Sequence, residues 1–273
     1  MTPWDADFFL RSPMFEPLRN MSAALHVKNW PQLDDLRKLL ENSRSPIVNS
    51  QGLPIRFVAQ TVRAKTFEEK YEPKIYLKGE VPLRAENWHD LLNALVWLTF
   101  PKSKAALNRR HFLAARAAAE KGTPNRGKVQ DALTLFDEGG VLVACGTPDL
   151  TALLKEFEWK ELFWKRRNEL TGAMKFYLFG HALYEKALQP FTGITGKGVI
   201  FEVEQNFFGL TLERQLHLLD IRLTDYLAEE KSFGSTQDLA PIPILGVPGW
   251  CADNENEEYY ENIRYFRHGR AGA

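Results

Sequence analysis

The sequence predicts an α+β protein: a helix-dominant single domain spanning residues 1–273, with small antiparallel β-hairpins and an irregular C-terminal arm over about residues 238–273. Three observations predict it. Helical periodicity runs through much of the chain. It is plainest in "LERQLHLLDIRLTDYLAEE", where Leu212, Leu216, Leu219, Leu223 and Leu227 recur every three or four residues as a core-facing stripe. Short segments rich in β-branched and aromatic residues, roughly five of them, interrupt the helices and are too scattered for one large sheet. The last stretch, "LAPIPILGVPGWCADNENEEYYENIRYFRHGR", holds enough proline and glycine to exclude regular structure over much of its length.

Each element follows from local chemistry. "NWPQLDDLRKLLENS" reads as a helix capped by Asn29, with Leu33, Leu36, Leu39 and Leu40 at helical spacing. "PIRFVAQTV" and "YEPKIYLKGEVPLR" read as strands, with Gly79 supplying a turn. Asn87 suits an N-cap with Asp90 as its capping-box partner, opening a buried helix that ends near Phe100 because Pro101 cannot continue it. An alanine-rich helix follows over about Lys102–Lys121, and then a loop, "GTPNRG". "DALTLFDEGGVLVACG" reads as a β-hairpin turning at "DEGG". Thr147 caps a helix with Pro148 in its first position. That helix and its successors carry "LTALLKEFEWKELFWKRR" and "AMKFYLFGHALYEKALQ", and "GVIFEVE" is a strand.

Bulk properties exclude several classes. Lys plus Arg and Asp plus Glu are each 35, so the formal charge is zero, which argues against a nucleic-acid partner. The two cysteines cannot build a disulfide framework, and Cys145, in "GGVLVACG", reads as a core residue. The N-terminal "MTPWDADFFLRSPMF" has no basic leader region, and no apolar run of about 18 residues exists. The expected address is the cytoplasm, with no membrane partner; the oligomeric state stays open. "GITGKG" lacks the spacing of a phosphate loop, and no GxSxG, CxxC or HExxH pattern occurs.

The segment "ENWHDLLNALVWLTFPKSKAALNRRH" concentrates the chemistry. In a helical hairpin turning at Pro101, His89 lies twelve residues before the turn and His111 ten after it. At ~1.5 Å rise per residue their heights agree within roughly 3 Å, so rings facing the seam would share a ligand. Asn93 continues the His89 face, and Asn108 and Lys104 continue the His111 face. Such a set suits a small anionic ligand or, with an added carboxylate, a divalent metal. His181 and Glu185 share one helix face, and Asp137 and Glu138 sit side by side where they would complete a metal site beside His111. Capping explains Asn87 and Asp90 equally well, and a buried histidine is often satisfied by a backbone carbonyl.

"NWHDLLNALVWLTFPKSKAALNRRH", "DALTLFDEGGVLVA", "FGHALYEKALQPFTGITGK" and "PIPILGVPGWCADNE" together resemble the bacterial domain of unknown function 3025 family, over about residues 30–267. The resemblance implies a bacterial, cytoplasmic, single-domain protein and carries no reaction. The order of His89, Pro101, Lys104, Asn108 and His111 is also similar to mobile-element His-Asn-His nucleases, but two arginines separate Asn108 from His111 and no Gly-Asn metal loop follows.

Two functional expectations follow. One is a hydrolase, metal-assisted or using a neutral imidazole, acting on an anionic or phosphate-bearing substrate. In it His89 and His111 are ligands or acid and base, Asp90 orients His89, Asn93 and Asn108 position substrate, and His181 with Glu185 form a second pair. The other is a noncatalytic module that binds a protein or small molecule through Trp250, Tyr259 and Tyr260 of the C-terminal arm, with the histidines as core polar groups.

Overall fold

Two sheets order the helices in the computed structural model, which describes every residue except 1, 26, 61–63, 121, 123–126, 230 and 270–273. Most of the "GTPNRG" loop therefore lies outside the described residues. After short 3₁₀ turns, helices α1 (Arg19–Leu25) and α2 (Leu33–Glu41) lead to strand β1 (Arg56–Ala59), helix α3 (Tyr71–Lys78) and strand β2 (Glu80–Leu83). Helices α4 (Trp88–Thr99), α5 (Pro101–Glu120) and α6 (Lys128–Gly139) follow, then strand β3 (Gly140–Cys145). The second half holds α7 (Pro148–Lys155), α8 (Arg167–Ala173), β4 (Met174–Leu178), α9 (His181–Ala187), β5 (Thr195–Glu202), α10 (Leu212–Ala228) and β6 (Ala240–Pro243).

The α+β class holds, and the pairing is mixed. β1 and β2 form a parallel ladder, while the larger sheet runs β4-β3-β5-β6. In it β3 pairs antiparallel with β4 and parallel with β5, and β5 pairs antiparallel with β6. β3 is buried at all six positions, which is why "GVLVAC" reads as continuous hydrophobicity rather than alternation.

Several local expectations are corrected. "YEPKIYLK" is helix α3, not strand; Pro73 sits in its first turn, where a missing N–H is harmless, and Gly79 closes it in the left-handed conformation (φ 68°). "DALTLFDEG" is the end of helix α6, not a hairpin arm, so Asp137 and Glu138 lie on the last helical turn. "MKFYL" is the buried strand β4, although its neighbours are helical. The cap of α2 is Gln32, in a capping box with Asp35, rather than Asn29. Asn87 does cap α4, its side chain accepting from Asp90 N, and Thr147 precedes Pro148 at the start of α7 without a side-chain cap bond.

The apolar interior is one contiguous cluster reaching from Phe8 to Phe266. α4 is buried almost all round, and residues before the first strand brace it: Trp4 stacks on Trp88 at 5.2 Å, and Trp88 Nε1 donates to Thr2 O at 2.9 Å. Asp220 of α10 caps α5 from outside the helix, accepting from Ser103 N (2.8 Å) and Lys102 N (3.2 Å). The C-terminal arm is packed rather than loose. Asn254 is fully buried and donates to Leu245 O and Val247 O, and Tyr265 Oη donates to Ile194 O while accepting from Leu245 N.

Candidate functional site

A cavity of about 740 Å³ opens between α3, α4, α5, α6 and the start of α9. His89, Asp90, Asn93, His111 and His181 line it, joined by Tyr71, Glu72, Asp137 and Glu138.

His89 comes from the first turn of α4, just after the Asn87 cap, and its side chain is 30% exposed. His181 opens α9 at the far side and is 4% exposed. A tight crossing sets its position. A Cβ built on Gly180 would stand 2.4 Å from Gly140 N and 2.5 Å from Glu138 O, so only glycine lets the start of α9 lie against the α6–β3 junction. That approach brings His181 beside Glu138.

The two rings meet edge to face with centroids 4.4 Å apart, and their Nε2 atoms are 3.0 Å apart. Glu138 Oε1 lies 3.7 Å from His181 Nε2 and 4.0 Å from His89 Nε2. These three donor atoms all fall within 4.8 Å of one another, the one such group among the described residues. Glu185 Oε2 lies 3.0 Å from His89 Nδ1. A carboxylate only accepts, so Nδ1 carries the proton toward Glu185 while Nε2 faces the His181 ring.

Behind His181, Asp137 Oδ2 lies 3.9 Å from Nδ1, and Asp137 Oδ1 accepts from Lys104 Nζ at 2.5 Å. Burial pushes the Asp137 carboxyl up, but Lys104, His181 and His111 outweigh it and hold it at about 2. Burial lowers the His181 imidazole to about 4, against the opposing pull of Asp137, so the ring is neutral at physiological pH.

The inner wall is a second polar group. Asn108 Nδ2 donates to Glu72 Oε2 (2.6 Å) and Glu72 O (3.0 Å), and burial raises the Glu72 carboxyl. Asn93 Nδ2 donates to Tyr71 Oη at 2.6 Å. His111 is 7% exposed, and its Nε2 has no hydrogen-bond partner among the described residues.

Of the expected residues, His89, Asp90, Asn93, His111 and His181 share one cavity, while Asn108 and Glu185 stand outside its lining and bond to Glu72 and His89, and the partnerships differ from those expected. His89 meets His181 rather than His111; no hydrogen bond, ion pair or ring contact among the described residues joins His89 to His111. Glu185 holds His89 and not its own helix neighbour His181. Asp90 is taken up by Arg84, which binds it through its backbone N, Nε and Nη2, so it neither returns to Asn87 nor orients His89. Glu138 stands beside His89 and His181, at the opposite end of the acidic pair from the expected His111. Tyr71, Glu72 and Arg84 were not foreseen. The four-residue helical spacing of Tyr71 and Ile75 within "YEPKIYLK" is the signal the sequence offers, and a strand reading hides it.

Fold and cavity together define an α+β protein with a carboxylate-rich, histidine-bearing cleft built chiefly from helices. Residues 55–270 match the family described as "Protein of unknown function (DUF3025)", and the chain belongs to that family. No curated protein and no solved structure matches it.

Proposed function

We propose that the protein is a metal-assisted hydrolase acting on an anionic, phosphate-bearing substrate, with His89, His181 and Glu138 holding a divalent cation at the cavity mouth. The convergence of His89 Nε2, His181 Nε2 and Glu138 Oε1 carries this reading. In a tetrahedral site with bonds of ~2.0–2.1 Å, ligand atoms stand about 3.3 Å apart. The three separations of 3.0, 3.7 and 4.0 Å bracket that value, so small rotations of exposed side chains close the site. The neutral state of His181 and the Glu185 bond that fixes the His89 tautomer favour ligation, because only a ring nitrogen bearing a lone pair binds metal.

Two histidines and one carboxylate leave a fourth position for water. A divalent cation held by His89, His181 and Glu138 would supply Lewis-acid activation of water there. In the hydrolysis of a phosphate monoester, the water oxygen forms the new bond to phosphorus, the ester P–O bond breaks, and the leaving oxygen is protonated to an alcohol. Lys70 on the cavity wall supplies positive charge for the remaining phosphate oxygens. Arg84 pairs Asp90 and Lys104 pairs Asp137, so without a cation Glu72 and Glu138 are the wall carboxylates left to repel an anion. The free thiols Cys145 and Cys251 support a reducing compartment, the bacterial cytoplasm.

The test is zinc titration of chelator-treated protein beside a His89→Ala, His181→Ala double variant, followed by hydrolysis of p-nitrophenyl phosphate. One zinc per chain, lost in the variant, with zinc-dependent turnover is the expected result. Equal zinc affinity in both proteins removes the metal centre, and zinc binding without turnover of any phosphate ester removes the hydrolase.

A further inference from the structure

We infer that the substrate is a phosphate monoester whose ester oxygen carries an apolar alkyl or aryl group, seated along the C-terminal half of α5. The inference builds on the hydrolase reading and names what lies beyond the phosphate. One stripe of α5, at successive steps of four, three, four and three residues, consists of Lys104, Asn108, His111, Ala115 and Ala118. The stripe changes character along its length. Lys104, Asn108 and His111 are buried polar groups near the metal-binding end, whereas Ala115 and Ala118 line the cavity farther along with nothing beyond a methyl. Phe67 and Pro73 also line the cavity, and Phe67 packs near Phe112 of α5 at 6.1 Å.

Volume points the same way. A cavity of 740 Å³ lies in the range that encloses a drug-sized molecule and far exceeds a lone phosphate. His111 sits where the polar and apolar halves meet. Its ring is nine-tenths buried, it lines the cavity, and its Nε2 lacks a partner among the described residues, where a buried imidazole nitrogen normally has one. A phosphate or ester oxygen brought to that junction supplies the missing partner and sends the substituent toward Ala115.

The test compares inorganic phosphate with n-hexyl phosphate by calorimetric titration, in zinc-loaded and zinc-free protein, for the wild type and for Ala115→Trp and Ala119→Trp. Ala119 is an exposed rim residue, so its replacement leaves folding intact should Ala115→Trp disturb it. Hexyl phosphate is expected to bind at least about tenfold more tightly than phosphate, as burial of several methylenes requires. The tryptophan variants should bring the ratio to within about threefold while zinc affinity is unchanged. Equal binding of the two ligands by the wild type overturns the inference, as does a preference that both variants retain. The zinc-free arm separates the two proposals: absent zinc binding with a tail preference abolished by Ala115→Trp ends the metal centre and upholds the apolar arm, and zinc binding without a tail preference does the reverse.

Discussion

His89 and His181, 92 residues apart in sequence, meet with their Nε2 atoms 3.0 Å apart, and Glu185 holds the other nitrogen of His89 from behind. In the proposed cation site Glu185 would act through His89 without touching the ion. Glu185→Gln should weaken zinc affinity about ten- to a hundredfold, the usual effect of removing a carboxylate behind a histidine ligand. Competition with a chromogenic chelator measures it, and unchanged affinity would mean that the His89 orientation is set elsewhere.

Lys104 and Asp137 form a buried pair, with side chains 4% and 12% exposed. Lys104→Met strands a buried carboxylate and should lower stability by about 3–5 kcal/mol in urea unfolding. Adding Asp137→Leu should restore much of that loss, because the stranded charge is then gone. A double variant as unstable as the single one would show that the pair matters through shape rather than charge.

Gly180→Ala places a methyl against the Gly139 and Gly140 backbone nitrogens. Backbone cannot yield as a flexible side chain does, so α9 must shift and carry His181 away from Glu138. The expected outcome is a lowered melting temperature together with loss of zinc affinity, whereas the exposed, uncrowded Gly209→Ala should change neither. Full zinc affinity in Gly180→Ala would separate the crossing from the site.

Asp220 links α10 to the start of α5 through Ser103 N and Lys102 N. Asp220→Ala should destabilise by about 1–2 kcal/mol, as loss of a helix cap does. Burial raises the Asp220 carboxyl above its ordinary 3.8, ahead of the opposing bonds from Ser103 and Lys102. Above pH 3.8 the native state then holds more protons than the unfolded chain, so this group's contribution is full at lower pH and declines as pH rises from 3.8 toward the raised folded value. Across that window urea midpoints should fall less, or rise more, with increasing pH in Asp220→Asn than in the wild type; an identical pH dependence would contradict the assignment.

Much of the helical framework was legible in the sequence. The leucine stripe of α10, the Asn87 cap and the Pro101 break are local signals, set by side-chain spacing and backbone chemistry within a few residues. The mistaken elements are those that tertiary burial decides. β4 is flanked by helical sequence and becomes a strand because β3 offers it an antiparallel edge. α6 carries "LTLF", whose alternation mimics a strand, and the adjacent glycines that suggested a hairpin turn instead end the helix and begin β3. The site shows the same division. His89, His111, His181, Glu185 and the acidic pair were legible as candidates from residue type and spacing. Which of them meet was not, because the His89–His181 contact depends on the close passage of Gly180 over Gly140, a relation between segments with no local signature.

The proposed cation site of His89, His181 and Glu138 is open to direct view in crystals of the zinc-soaked protein measured at the zinc absorption edge. A single anomalous peak is expected about 2.0–2.2 Å from both Nε2 atoms and from a Glu138 carboxylate oxygen. A peak elsewhere in the cavity, or none at these residues in fully titrated crystals, would contradict it.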